Sequence, residues 1–234
     1  MDINSENIKN NLTEIKNNIR LACERSNRSV DEVNLIAVTK TVDMDIVNNS
    51  LDFGISDVAE NRVQEVLKKF PLLKKSVKKH LIGTLQKNKV SKIVGEVDLI
   101  QSVDSIKLIS EIDRHCKKID KVMDILLQVN IGKEENKHGF DYDEVENAIK
   151  ESVKFENVRI VGLMAMAPYF ENPELTRPYF KKMKKLFEKL KDYEYNIDIR
   201  ILSMGMSGDY LVAIEEGATH IRIGSAIYGK RVYA

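Results

Sequence analysis

Hydrophobic residues near the start of the chain recur every three or four positions, which is the period of a helix. The apolar residues that fall on one helical face are Ile8, Leu12, Ile15, Ile19 and Ala22. This pattern predicts an amphipathic opening helix that ends in the turn-prone segment Ser26–Ser29.

After this helix, short apolar segments alternate with charged stretches of good helix formers, such as Lys181–Lys191. We predict eight strands, at Leu35–Thr39, Asp57–Ala59, Leu81–Gly83, Val97–Gln101, Ile125–Asn130, Ile160–Met164, Ile199–Ser203 and His220–Ile223. Alternating strands and helices indicate parallel strands with crossover helices. Eight such units in somewhat under about 250 residues favour an α/β fold of the closed (β/α)8, TIM-type barrel, with a doubly wound open sheet as the alternative.

Polar residues at the ends of the predicted strands support the barrel. They stand at or just beyond the C-terminal ends, on the face where barrels place active sites. These residues are Lys40, Asn61, Asn130, Ser203 and Arg222.

Length and composition predict one domain over residues 1–234, since the chain shows no linker and 43% of its residues are hydrophobic. The 37 basic residues nearly balance the 36 acidic ones, which argues against nucleic acid as a partner. The two cysteines, Cys23 and Cys116, form no metal or disulfide motif, and no apolar run approaches the roughly 20 residues that span a bilayer. We therefore expect a cytoplasmic protein without a membrane partner.

The last two predicted strands run into small residues that can expose backbone N–H groups, as phosphate sites require. Barrels build such sites from the loops after strands seven and eight. Ser203, Gly224 and Ser225 lie at these strand ends and are the best candidates for binding a phosphate. Ser207 is interpreted as the N-cap of a helix over Tyr210–Glu216.

Lys40 follows a buried strand, so its side chain starts inside the barrel mouth. Desolvation there lowers the pKa of an amine and frees the nucleophile that an imine requires. Arg222 projects toward the same mouth from the end of strand eight. Together these residues predict a site for a phosphorylated aldehyde, with an exposed lysine and a paired arginine as the structural alternatives.

Six segments resemble one known family. They are Ala37-Val-Thr-Lys40, Ala59-Glu-Asn61, His80-Leu-Ile-Gly-Thr-Leu-Gln-Lys-Asn-Lys89, Val161-Gly-Leu-Met-Ala-Met166, Ser203-Met-Gly-Met-Ser207 and Ile221-Arg-Ile-Gly-Ser-Ala-Ile-Tyr-Gly229. Over nearly its whole length the chain is similar to the pyridoxal phosphate homeostasis proteins, also described as proline synthetase co-transcribed proteins. That family carries pyridoxal 5′-phosphate (PLP) on a barrel like the N-terminal domain of alanine racemase.

The resemblance implies a role for each predicted residue. Lys40 would hold PLP as an imine, Arg222 would face the pyridine nitrogen, and Asn61 would line the ring. Ser203, Gly224 and Ser225 would hold the phosphate. The expected function is PLP homeostasis without catalysis, with recipient apoenzymes as partners and a monomer or weak dimer as the assembly. One alternative is a small racemase-like PLP enzyme acting on amino acids, which would need a second base such as Tyr228 or His80. Another is a regulatory binding protein whose PLP state controls a partner.

Three further features of the sequence admit a functional and a structural interpretation. His80 is expected to begin a strand at the opposite end of the barrel and to be structural. The lysines between positions 68 and 92 are interpreted as a solvated face, since no aromatic residues interleave them between Pro71 and Lys92. Lys137 follows strand five, where a second lysine could receive the aldehyde, although such loop lysines are usually just exposed.

Overall fold

The computed structural model describes residues 5–134, 138–191 and 197–229. Eight parallel strands pair in chain order, and the last pairs with the first to close a barrel. The (β/α)8 barrel is therefore confirmed, and the open doubly wound sheet is excluded. The strands are β1 (Asn34–Val38), β2 (Asp57–Glu60), β3 (Lys78–Leu81), β4 (Leu99–Val103), β5 (Met123–Val129), β6 (Val158–Ala165), β7 (Ile201–Met206) and β8 (His220–Ile223).

All eight predicted strands exist, but the bounds of several differ, and the third overlaps its predicted range by one residue only. The sequence predicts Leu81–Gly83, whereas β3 spans Lys78–Leu81. Gly83 lies beyond the strand, where its backbone approaches Asn61 so closely that a Cβ on Gly83 would stand 2.1 Å from the Asn61 carbonyl oxygen. This segment therefore packs against the end of β2.

Helices cover the outside of the barrel. Among the described residues they are α1 (Ser5–Arg25), α2 (Met44–Leu51), α3 (Val63–Lys69), α4 (Val90–Ile93), α5 (Ile106–Lys117), α6 (Val145–Ser152), α7 (Arg177–Lys191), α8 (Tyr210–Glu215) and α9 (Ser225–Tyr228). The predicted apolar face of α1 is buried. This helix packs against α8 and α9, and Asn11 donates a hydrogen bond to the carbonyl of Ile227 at 2.9 Å. The opening helix thus supports the loop that follows β8.

The core has two parts, one between strands and helices and one inside the barrel. Apolar residues fill the first and much of the second, as barrel interiors usually require. The barrel interior also contains buried polar residues, namely Asp57, His80, Gln101, Ser203 and Arg222. Buried polar groups are costly unless they are hydrogen-bonded, so each of these residues must find a partner inside the protein.

Lys69 departs from the predicted solvated face, because it is buried with only 6% of its surface exposed. Its Nζ donates to the carbonyl of Thr39 and to Oε1 of Glu60, both at 3.0 Å. Thr39 Oγ1 donates to the same carboxylate oxygen at 2.7 Å. This cluster joins the chain at the end of β1 to the last residue of β2. It therefore fixes the segments that lead into Lys40 and Asn61.

No helix within the described residues has the length and apolar character needed to cross a membrane. The same part of the chain contains no group of three or more His, Cys, Asp or Glu side chains that could hold a metal ion.

Candidate functional site

A cavity of about 270 Å³ opens at the C-terminal ends of the strands. Its lining residues are Val38, Lys40, Asn61, Ile82, Met166, Met206, Ser207, Gly208, Arg222, Gly224 and Ser225. Five of the six predicted site residues are in this set, and Ser203 is the exception. Larger depressions of about 420 and 380 Å³ lie among residues of the outer helices and their loops, away from the strand ends. Of these three depressions, the strand-end cavity combines basic, amide and hydroxyl residues in its lining.

Lys40 lies two residues beyond the end of β1, on the wall of the cavity, and is partly buried. The next residue, Thr41, has a φ of 64°. This left-handed conformation is unfavourable for a β-branched residue and costs on the order of 1–3 kcal/mol. The Thr41 hydroxyl donates to the Lys40 carbonyl at 2.6 Å. Backbone strain is therefore stored directly beside the candidate nucleophile.

Asn61 follows β2 and lines the cavity. Its Oδ1 is buried and has no hydrogen-bond partner among the described residues. Leaving a buried acceptor unpaired costs about 1–3 kcal/mol, so this oxygen is an unsatisfied polar group beside the cavity.

Arg222 lies on β8 and is 4% exposed. One terminal nitrogen donates to Ser203 Oγ at 2.6 Å and the other to the carbonyl of Ala165 at 2.9 Å. Burial lowers the pKa of the guanidinium to about 10, while the nearby Asp209 acts in the opposite direction. The side chain is therefore a cation at neutral pH, fixed on the floor of the cavity.

Ser207 belongs to the cavity, and the prediction that it caps the following helix is wrong. The N-cap of α8 is Asp209. Ser207 Oγ instead accepts hydrogen bonds from the backbone N–H groups of Gly224 and Ala226, at 3.4 and 3.3 Å. Both bonds are long for this type, so these two amides are only weakly satisfied.

Ser203 lies below the cavity and is fully buried. Its hydroxyl accepts from Arg222 and donates to Gln101 Oε1 at 2.7 Å. The register between β7 and β8 shifts between Ser203 and Met206, and Gly205 has a φ of 92° in this irregular segment. The irregularity breaks the regular alternation of side chains and leaves Ser203 inside the barrel and Ser207 at the mouth. Gly205, which lies between Ser203 and Ser207, is the feature of the sequence that could have indicated this irregularity.

The other polar residues singled out from the sequence lie outside the cavity lining. Asn130 bonds through its side chain to the backbone of Glu134 and shapes the loop after β5. His80 is the third residue of β3, not the first, and is buried against Asp57 and Gln101. Lys137 falls outside the described residues.

The chain is similar to known proteins over almost its whole length. The family model "Alanine racemase, N-terminal domain" matches residues 10–232. A pyridoxal phosphate homeostasis protein of Aquifex aeolicus is 42% identical over 223 residues, which cover 95% of this chain and 97% of that protein.

Solved structures agree with this relationship. A crystal structure of an unknown protein from Bifidobacterium adolescentis has a TM-score of 0.91 and 31% identity, covering 97% of each chain. PipY of Synechococcus elongatus, solved with PLP bound, has a TM-score of 0.82 and 30% identity, covering 95% of this chain and 100% of PipY. With its closed barrel and the matches over nearly all of its length, the chain belongs to the alanine racemase N-terminal domain family and, within it, to the pyridoxal phosphate homeostasis proteins.

Proposed function

We propose that this protein binds PLP in the strand-end cavity, holds it through Lys40, and contributes to intracellular PLP homeostasis. The observation that carries the proposal is the convergence of an amine, a guanidinium and weakly satisfied backbone amides on one cavity. The names of the relatives and the PLP-bound PipY structure support it. We also propose that residues 1–234 act as one PLP-binding barrel domain.

The groups around the cavity suit PLP in size and charge. A volume of about 270 Å³ lies just below the roughly 300–1,000 Å³ typical of pockets for larger ligands, as expected for a ligand with one ring. The amides of Gly224 and Ala226 and the hydroxyls of Ser207 and Ser225 are donors suited to a phosphate. The unpaired Oδ1 of Asn61 is an acceptor with no internal use.

Each residue has a distinct task in the proposal. When bound, PLP supplies an aldehyde that reacts with amines and a ring that withdraws electrons. Lys40 would supply the amine that holds the aldehyde. Arg222 would offer an N–H to the ring nitrogen, and the loop after β8 would hold the phosphate. Asn61 would line the ring.

We propose that the protein is a carrier and not an enzyme. PLP stabilises carbanions best when its ring nitrogen is protonated, and a guanidinium cannot supply that proton and stay charged. Tyr228 and His80, the candidate second bases, do not line the cavity. Tyr228 bonds to Ser50 Oγ at 2.9 Å, and burial raises the pKa of its phenol to about 12. Its hydroxyl is thus a poor base at neutral pH.

The test of PLP binding is chemical labelling of the wild-type protein. Purified protein mixed with PLP should show visible absorption that borohydride converts into a stable pyridoxyl group, and peptide mass spectrometry should find that group on Lys40. Labelling spread over other lysines, with none on Lys40, would overturn the assignment.

Replacing Ser225 by alanine should weaken PLP binding by about 1.5–3 kcal/mol, because one hydrogen bond to a charged phosphate is lost. Isothermal titration of the two proteins with PLP measures this difference. Pyridoxal, which lacks the phosphate, is the control ligand and should bind equally poorly to both forms. An unchanged PLP affinity would remove Ser225 from the phosphate site.

Amino acids should displace PLP from Lys40 at most, without racemisation, decarboxylation or transamination. The expected loss of the Lys40 absorption without product is measured by spectroscopy together with chiral chromatography. Turnover at the roughly 1–10³ per second typical of enzymes would instead support the racemase-like alternative. Arg222→Glu can keep the ring nitrogen protonated, and it should raise slow transamination if PLP still binds.

The remaining partners follow from the carrier proposal. Recipient apoenzymes would take PLP from the cavity, whose mouth opens at the strand ends. We propose a monomer or weak dimer in the cytoplasm, with neither nucleic acid nor a membrane as a partner.

A further inference from the structure

A chain of hydrogen bonds crosses the inside of the barrel beneath the cavity. Arg222 donates to Ser203 Oγ at 2.6 Å, and Ser203 donates to Gln101 Oε1 at 2.7 Å. Gln101 Nε2 lies 3.0 Å from His80 Nδ1, and His80 Nε2 lies 2.9 Å from Asp57 Oδ1. These hydrogen bonds therefore link the Arg222 cation on the cavity floor to the Asp57 carboxylate at the start of β2.

The five residues come from five strands, and each is at most 4% exposed. The bond from Ser203 to Gln101 joins β7 to β4, which are separated by two strands on one side of the closed barrel and by four on the other. It thus spans the interior. Burying polar residues here costs more desolvation free energy than burying apolar residues of the same size. A buried polar network offsets this cost only when every member has a hydrogen-bond partner.

The chemistry of Arg222 sets the direction of every link. Arginine can only donate, so the Ser203 oxygen accepts from Arg222 and its own hydrogen points to the carbonyl oxygen of Gln101. Gln101 then turns its amino group to His80 Nδ1, which must accept. The proton of a neutral His80 is therefore on Nε2 and faces Asp57.

The far end of the chain is consistent with this direction. Burial raises the pKa of Asp57, but hydrogen bonds from His80 and Ser56 outweigh burial and lower it overall, so the carboxylate is ionised and can only accept. His220 on β8 is a further titratable group in this region, with Lys78 and Arg200 near it. Burial, reinforced by His80, lowers its pKa to about 4, so it is neutral at physiological pH.

We propose that Gln101 and His80 are positioning residues whose polarised chain holds Arg222 in the orientation that faces the ring nitrogen of the bound cofactor. Neither residue lines the cavity, so both act through Ser203 and Arg222. The cofactor-facing part of this inference rests on the proposed PLP function. The direction of the chain does not, because it is a property of the ligand-free protein.

The first measurement is made without PLP. Nitrogen-15 NMR of histidine-labelled protein at neutral pH should show His80 as the Nε2–H tautomer, because its Nδ1 accepts from Gln101. In Gln101→Glu, a carboxylate of nearly the same size accepts from His80 Nδ1, so His80 should carry two protons at the same pH. A singly protonated His80 in this variant would disprove the contact with Gln101.

The second measurement uses PLP labelled with nitrogen-15 in its ring. In the wild type, the ring nitrogen should stay unprotonated between about pH 8 and about pH 5, the range in which histidine titrates. Gln101→Met removes the hydrogen bonds of residue 101 to Ser203 and to His80. It should raise the Kd for PLP about two- to tenfold, and the ring nitrogen should gain a proton within this pH range.

Two variants separate positioning from general packing. In Gln101→Glu, unlike Gln101→Met, the ring nitrogen should stay unprotonated as in the wild type, because the carboxylate of residue 101 still accepts from Ser203. Gln128→Met is the matched control, since Gln128 is also buried but bonds to the carbonyl of His138, outside the chain. It should leave both the Kd and the ring nitrogen unchanged.

Each result has one meaning. If the wild type does not bind PLP at all, the proposed function fails, while the His80 tautomer still tests the chain. If folded Gln101→Met binds PLP with wild-type affinity and an unprotonated ring nitrogen, the chain has no positioning role. Should Gln101→Met not fold, His80→Phe, which removes the acceptor of the Gln101 amide, takes its place in the ring-nitrogen measurement.

Discussion

Replacing Lys40 by alanine is expected to abolish the visible absorption of the protein mixed with PLP, because Lys40 is the only lysine among the described residues that line the cavity. The stabilisation by the ligand should fall as well. A ligand at about 100 times its Kd adds about 2.7 kcal/mol to the free energy of unfolding. Thermal unfolding of both proteins at one PLP concentration measures the loss.

The control for this variant is Lys150→Ala, which removes an exposed lysine from α6. It should keep both the absorption and the stabilisation by PLP. Without PLP, Lys40→Ala should unfold near the wild-type temperature, since the substitution leaves Thr41 and the buried cluster of Lys69, Thr39 and Glu60 unchanged. Retention of the absorption in Lys40→Ala would assign the covalent bond to another lysine.

Replacing Lys69 by methionine is expected to lower the free energy of unfolding by about 3–5 kcal/mol. Removing one partner of a buried ion pair leaves the other charge uncompensated. Glu60 is fully buried, and its Oε2 has no partner among the described residues, so the carboxylate depends on Lys69 and Thr39. Urea unfolding of the ligand-free protein measures the change.

The neighbouring residue supplies a matched control. Lys68 is exposed on the same helix, and Lys68→Met should change the stability by no more than about 0.5 kcal/mol. The double variant Lys69→Met with Glu60→Gln should recover part of the loss, because the uncompensated charge is gone. A loss below about 1 kcal/mol for Lys69→Met alone would show that water or another group solvates Glu60.

The same cluster connects stability to the candidate site. Lys69 holds the carbonyl of Thr39, directly before Lys40, and the carboxylate of Glu60, directly before Asn61. Both side chains therefore enter the cavity from backbone that one buried amine fixes. This arrangement places the candidate nucleophile on a rigid support, as a site that must orient its ligand requires.

Alternating strands and helices predicted the barrel, and the C-terminal strand ends predicted Lys40, Asn61, Arg222, Gly224 and Ser225 as neighbours. These inferences succeed because the topology of a closed parallel barrel brings all C-terminal strand ends to one face, whatever the side chains are. The predicted bounds of β3 are wrong, because charged lysines begin the strand and Gly83 packs beyond it.

Tertiary structure alone decided which polar groups face the cavity and which face each other. The irregular segment at Gly205 puts Ser207 at the mouth and Ser203 in the interior, and local pattern does not reveal such a shift. In the sequence, Lys69 cannot be distinguished from the exposed lysines beside it. Only the fold brings Thr39 and Glu60 within hydrogen-bond distance of its amine. The link from Gln101 to Ser203 joins residues 102 positions apart, so only closure of the barrel creates it. The spacing of apolar residues and the alternation of strands and helices can be read along the sequence. Hydrogen-bond partners across a barrel depend on its three-dimensional closure.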